Sequence, residues 1–285
     1  MNPRTVKVYT ENNLYQYIDT LRRRREKRQR EGVLFLEGVR PISLALAHGW
    51  RVTTFVYAPE RRLSTWARDI LAQSQAETHV ELPAALLAQL SNKNEPSELL
   101  ALVAMPADDL DRIAVSPDLL VVVFDRPASP GNLGSIIRSC DALGAHGLIM
   151  TGHSVDLYDP ETISASVGSL FALPVVRLPS PTALVPWREA VRQRFGALQM
   201  VGCDETGDAV LSAHDFRGPT LLVMGNEKWG MSAAYREQCD VIARIPMAGS
   251  ASSLNVASAT SIFLYEIARQ RGWQTAFPHG QEAGE

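Results

Sequence analysis

The sequence has no apolar run long enough to cross a bilayer: its longest, LLALVAM at 99–105 and LLVVVF at 119–124, fall far short of the roughly 20 residues a spanning helix needs. A membrane span is excluded. The opening MNPRTVKVYTENN is polar, without the apolar segment or small-residue cleavage site of an exported precursor, so the cytoplasm is the expected location. Cysteine is scarce and odd in number. Cys140, Cys203 and Cys239 lie far apart, which fits neither a disulfide framework nor a Cys-x-x-Cys metal site, and they are expected as buried thiols. No two of the six histidines stand at the spacing that puts a zinc pair on one helix face, so no metal is expected. Two nucleotide-binding fingerprints are also missing. There is no Gly-x-Gly-x-x-Gly between a strand and a helix, and no Gly followed after four residues by Gly-Lys and Ser or Thr. A dinucleotide oxidoreductase and a phosphate-loop NTPase are both disfavoured.

What is present is ordinary globular material. Of the 285 residues, 46% are hydrophobic and 21% charged, enough apolar matter for two modest cores and no basis for disorder. The net charge of −3 argues against a polyanionic partner until its distribution is considered. Residues 1–117 hold 16 basic and 14 acidic side chains, and the remainder 12 and 17. The front carries the positive excess. Most of it comes from RRRREKRQR at 22–30, which contributes Arg22, Arg23, Arg24, Arg25, Lys27, Arg28 and Arg30. Such a run is either a solvated helix face or a patch that tracks a nucleic-acid backbone.

Periodicity divides the chain in two. A helix over 11–31 closed by Gly32, a strand, turn and helix in VLFLEGVRPISLALAHGW, a strand at 52–58, helical STWARDILAQ, the segment ELPAALLAQL and a strand in ELLALVAMP predict a small α/β domain over 1–105. The acidic, proline-bearing stretch 106–117 reads as a linker. From 118 to 285 the alternation restarts with strand LLVVVF, a helix over 132–143 stopped by Gly144, strand HGLIM and a helix over 160–171. Strands at LPVVRL, ALQMVGCD, TLLVMG and VIARIPM follow, with helices between them and a last helix over 254–271. Uninterrupted apolar strands of this kind suit a parallel sheet covered on both faces.

In open parallel sheets ligands sit beyond the carboxyl ends of the strands. Three loops there carry polar residues. FDRPASPGNLGSIIRSCDALGAHG places Asn132 at a helix start and Arg138 six residues on. LLVMGNEKWGMS supplies Gly225, Asn226, Glu227 and Gly230, and IPMAGSASSLNVASA supplies Ser253 and Asn255. Singly, each residue reads as a cap, a turn residue or a solvated side chain. Jointly, two glycine-bearing loops offer backbone donors and acceptors to a flat polar ligand such as an adenine.

The order NLGSIIR, GNEKWGMS, IPMAGSASSLNVASA resembles the three motifs of the SpoU/TrmH branch of the SPOUT methyltransferases, and FLEGVRPISLAL, which contains Arg40, resembles the start of their small ribosomal-protein-like RNA-binding domain. GVRPISLA, FDRPASPGN, GSIIRS, DALGAHGLI and IPMAGSASSLN are similar to the avilamycin-resistance subgroup, which acts on 23S rRNA. The resemblance implies an α/β domain with a trefoil knot, an exception to the usual rule against threading, and a homodimer with its site near the subunit interface. It implies S-adenosyl-L-methionine bound in a bent form against backbone at Gly225, Ile245, Met247 and Leu254, with Asn226 and Gly230 in the same pocket.

The implied reaction is methyl transfer to an RNA ribose 2′-oxygen, which excludes DNA. A 23S rRNA target, with a link to antibiotic resistance, is favoured over tRNA or a non-catalytic RNA-binding role. Arg138 is the implied activator. Because an arginine is a poor proton acceptor at neutral pH, the expected role is to hold the adjacent phosphate and stabilise the developing oxyanion. Asn132 and Ser253 are expected to orient these groups, Glu227 to orient Arg138 or substrate, and Asn255 to fix the third loop. Lys228 and Trp229, where many relatives carry another pair, are left between substrate and partner subunit.

Overall fold

The computed structural model describes residues 3–272 and divides between Ala107 and Asp108 into two units. The first contains β1 (Arg4–Lys7), α1 (Asn13–Arg23), α2 (Arg25–Glu31), β2 (Val33–Glu37), α3 (Val39–Ala47), β3 (Val52–Tyr57), α4 (Thr65–Ala72), β4 (Thr78–Glu81), α5 (Ala84–Leu90) and β5 (Leu99–Ala104). Its sheet has the order β1-β4-β3-β5-β2, with β5 antiparallel to both neighbours. The sequence reading misses β1 and β4. RTVK and THVE are four residues each with Val as the one apolar residue, too short and too polar to announce a strand.

The single helix expected over 11–31 is two helices. At Arg24 the backbone turns extended, with φ −116° and ψ 115°. Arg28, a buried residue, folds back to donate from Nη1 to the carbonyls of Leu21 and Arg22, 3.0 Å each. A cation thus satisfies carbonyls at the negative end of α1.

The second unit contains β6 (Leu120–Asp125), α6 (Pro130–Ala142), β7 (Gly147–Thr151), α7 (Pro160–Ser166), α8 (Ser169–Ala172), β8 (Val175–Leu178), α9 (Val185–Phe195), β9 (Gln199–Cys203), β10 (Ala209–Val210), β11 (Thr220–Met224), α10 (Ala233–Gln238), β12 (Val241–Arg244) and α11 (Val256–Gln270). The strands form an all-parallel sheet in the order β10-β12-β9-β11-β6-β7-β8. Every residue of β6, β7 and β11 is buried, as their apolar runs require. The chain walks outward from β6 through β7 to β8, returns to β9, and then inserts β11 between β9 and β6. Its direction therefore reverses between β6 and β11. That reversal is where such sheets hold ligands.

Three boundaries differ from expectation. The stretch 106–117 is not a free linker throughout, because from Asp108 it packs on the second unit: Asp108 pairs with Arg177 at 2.8 Å, Arg112 donates to the Val175 carbonyl at 3.0 Å, and Ile113 is in the core. The helix expected over 160–171 breaks at Val167 and Gly168, both at positive φ. Helix α6 begins at Pro130, capped by Ser129 Oγ accepting from Asn132 N at 3.3 Å, so Asn132 lies inside the first turn and its side chain is not the cap. Gly134 lets α6 approach α7: a Cβ there would stand 2.6 Å from the Thr162 carbonyl oxygen and from Ala165 Cβ, closer than any side chain tolerates.

Candidate active site at the sheet switch point

The site is built outward from Asp125, the last residue of β6 and 1% exposed. A buried carboxylate needs donors. Asp125 has the Ser232 amide at 2.8 Å and the Arg126 guanidinium, Nε at 3.1 Å and Nη2 at 3.0 Å. Arg126 sits at φ +52°, a left-handed conformation that non-glycine residues adopt only when held there. It is held from both sides. Its Nη2 donates to the Gly230 carbonyl at 3.2 Å, and its own carbonyl accepts from Asn226 Nδ2 at 2.6 Å.

Glu227 makes the second tie. Its carboxylate accepts the amides of Ala128 and Ser129, each at 2.9 Å, and Asn132 Nδ2 at 3.4 Å. Asn132 Oδ1 in turn accepts from Asn255 Nδ2 at 3.0 Å, while Asn255 Oδ1 caps α11 through Ala257 N at 2.8 Å and Ser258 N at 3.4 Å. One line of hydrogen bonds therefore runs from the β11 loop through the start of α6 to the start of α11. The β11 loop is itself closed by paired bonds between Asn226 and Gly230, at 3.0 and 2.9 Å. Gly230 supplies a φ of +67° there, and a Cβ on Gly225 would collide with the backbone of Gly230 and Met231.

Asn132, Gly225, Asn226, Glu227, Gly230 and Asn255 are thus brought together. Arg138 lies farther along α6, exposed, its side chain without a hydrogen bond or ion pair among the described residues. Glu227 does not orient it, since the Glu227 oxygens are engaged by the first loop. Ser253 is exposed and likewise unbonded among the described residues. Ile245 is half-buried, and Met247 and Leu254 are each 38% exposed. Residues 246–254 are all exposed, and among the described residues none of their backbone N–H groups donates within the chain. Sequence reasoning missed Asp125, Arg126 and Ser129. The Ser-Pro pair ahead of Asn132 is a helix-start signature that could have located Ser129, whereas nothing in the sequence marks Asp125 as buried.

The basic run is corrected in part. Arg28 is buried as a helix cap, and Arg22, only 11% exposed in its side chain, is bound to Asp19 and Asn92. Lys27 pairs with Glu31 at 2.8 Å and lies over the Tyr17 ring. Arg25 is half-buried. Arg23, Arg24, Arg30 and Arg40 face solvent, two of them also paired, Arg23 with Asp19 and Arg30 with Glu31. Among the described residues no cluster of His, Cys, Asp or Glu could hold a metal ion, and no helix is long and apolar enough to cross a membrane. Burial pushes the Cys203 and Cys239 thiols up to about 12 and Cys140 higher still, so none is a ready nucleophile.

Comparison with known proteins agrees with this layout. Residues 119–265 match the SpoU rRNA Methylase family, and residues 12–101 match the SpoU L30e-like domain. The chain is 52% identical over 270 residues, 94% of either chain, to the 23S rRNA (uridine(2479)-2'-O)-methyltransferase of Streptomyces viridochromogenes. Its structure is similar to that of the SpoU methyltransferase AviRb from the same organism in complex with AdoMet, with TM-score 0.86 and 53% identity over 91% of this chain and 98% of that one. It also resembles an AdoMet-bound rRNA methyltransferase from Sinorhizobium meliloti, with TM-score 0.79 and 30% identity over 93% and 98% of the two chains. On its sequence, its strand order and these matches, the chain belongs to the SpoU rRNA methylase family.

Proposed function

We propose that this chain methylates the ribose 2′-oxygen of a uridine in 23S rRNA, with S-adenosylmethionine as donor. The observation that carries the reading is the line of hydrogen bonds through Glu227, Asn132 and Asn255, which joins three loops at the switch point of a parallel sheet. The target follows from the near full-length similarity to an enzyme named for that reaction.

The residues present fit the donor. Residues 246–254 offer backbone N–H groups that have no partner among the described residues for the polar edge of an adenine, and Met247 and Leu254 offer apolar surface for its faces. Ile245, Gly225, Asn226 and Gly230 complete the pocket; the collision a Cβ would meet at Gly225 keeps that loop tight and its backbone close. Bound there, S-adenosylmethionine supplies an electrophilic methyl group on a sulfonium. Arg138 holds the phosphate beside the acceptor ribose and stabilises negative charge on the 2′-oxygen. The proton leaves to that phosphate or to water, arginine being a poor acceptor at neutral pH. Asn132 and Asn255 fix the two helix starts, and Ser253 orients the acceptor. Alignment of the reacting groups supplies much of the rate.

The first unit binds RNA through Arg23, Arg24, Arg30 and Arg40. Two copies associate, which the exposed Ile262 and Tyr265 on α11 support. The late strands insert among earlier ones, β11 between β9 and β6 and β12 between β10 and β9, an order that supports a trefoil knot there. The enzyme works in the cytoplasm, where its substrate is.

The test is incubation with methyl-tritiated donor and rRNA or tRNA from a strain lacking the modification. Label is expected in 23S rRNA; label confined to tRNA overturns the target, and none in either overturns the activity.

A further inference from the structure

We propose that Trp229 and Lys228 form a stacking platform for an unpaired base of the RNA, beside the acceptor site. Trp50, Trp66 and Trp187 are partly buried, whereas Trp229 is 71% exposed. Leaving an indole in water forfeits its burial energy, so a fixed, exposed one has a partner to meet.

Trp229 is fixed. Asn226 Oδ1 accepts the amides of both Lys228, at 2.9 Å, and Trp229, at 3.0 Å. On one side Glu227 is tied to the first loop, and on the other Gly230 is tied to Arg126. The indole therefore projects from a loop whose backbone is braced to the end of β6, which sets its point of attachment at the switch point.

The chemistry around the ring selects the partner. Lys228 Nζ lies 4.6 Å from the Trp229 ring centroid, a cation held on an aromatic face. The adjacent acid, Glu227, turns its carboxylate inward to the Ala128 and Ser129 amides. What remains outward is a flat π surface with a positive charge. A nucleobase stacked on the indole with its phosphate against the ammonium matches both features, and unpaired bases are what RNA-binding proteins stack on aromatic side chains. A partner protein surface closing over the indole would have to strip water from the Lys228 ammonium, a costly step without an acidic partner. The identity of the RNA rests on the proposed function; the platform itself does not.

The experiment uses the full-length protein and a fluorescein-labelled single-stranded oligouridylate, with a duplex of the same length as control, read by anisotropy. Trp229→Ala should weaken single-strand binding by roughly tenfold or more, with little effect on the duplex. Trp229→Tyr should restore most of the loss and Trp229→Leu should not, because stacking and not mere apolarity is at issue. Lys228→Gln should lower affinity and flatten its salt dependence. Calorimetric affinity for S-adenosylmethionine and the sedimentation behaviour should be unchanged in all four. Wild-type RNA affinity in Trp229→Leu overturns the platform, as does an altered subunit association with RNA binding intact, which assigns the indole to a protein contact. A parallel loss of S-adenosylmethionine binding also overturns it, assigning the residue to the cofactor loop. A wild-type protein that shows this pattern yet transfers no methyl group leaves the platform standing and refutes only the proposed reaction.

Discussion

The loops leaving β6 and β11 are bonded to each other along their length, through Asp125 and Ser232, Arg126 and Gly230, Glu227 and the Ala128 and Ser129 amides. The loop leaving β12 is the opposite: residues 246–254 are exposed, and among the described residues none of their backbone N–H groups is satisfied within the chain. All three loops carry family motifs, but they are prepared differently. The braced pair fixes positions in advance, which suits groups that must hold a reacting geometry. The open loop keeps its donors for something else, which suits a cofactor read through backbone. Asn255 connects the two regimes, with one end of its side chain on Asn132 and the other on the first turn of α11.

The largest effect should come from a residue outside the brace. The Arg138 side chain has no partner among the described residues, so Arg138→Ala should leave the braced loops and S-adenosylmethionine affinity intact and reduce methyl transfer by about a hundredfold or more. Single-turnover kinetics beside calorimetry would measure both. Turnover near wild type would mean that the oxyanion is stabilised elsewhere.

Breaking the brace should do something different. Glu227→Ala removes a charged acceptor from two backbone amides and Asn132, interactions worth about 1.5–3 kcal/mol each when charge-assisted. S-adenosylmethionine affinity should drop roughly tenfold or more through loss of loop order. Amide hydrogen exchange separates the halves: in the wild type Ala128, Ser129 and Ser232 should already be protected and 246–254 exchange fast, slowing when the donor is added. In Glu227→Ala the Ala128 and Ser129 amides should exchange fast as well, while Ser232, held by Asp125, should stay protected. Equal protection of both loops in the free wild-type protein would remove the distinction.

The smallest effects lie in the first unit, where inward and outward cations can be compared. Arg28→Ala leaves the Leu21 and Arg22 carbonyls short of a donor and should cost about 1–3 kcal/mol of stability by urea denaturation, with the salt slope of RNA binding unchanged. Glutamine at Arg23, Arg24 and Arg30 together should leave stability within about 0.5 kcal/mol and reduce the magnitude of that slope. The reverse pattern would show that the run was assigned the wrong way round.

These contrasts also mark how far the sequence could be read. The parallel sheet was legible because LLVVVF, HGLIM and TLLVMG are continuous apolar runs, and the three candidate loops because polar or glycine-bearing segments follow LLVVVF, TLLVMG and VIARIPM. The coupling between the loops was not. Glu227 and Ser129 meet only because β11 inserts beside β6, and strand order is not a property of local periodicity. Nor could the run at 22–30 show which arginine points inward, since a helix of uniform charge has no apolar stripe to orient it. Asp125 had the same difficulty: at the end of an apolar strand an acid reads as the first loop residue, yet it is buried and anchors the site.

The most direct test is mass spectrometry of nuclease digests of 23S rRNA treated with the enzyme and S-adenosylmethionine. The account predicts a single added methyl group on the ribose of a uridine, resistant to alkaline cleavage at its 3′ side and lost in Arg138→Ala. A methyl group on the base would contradict it.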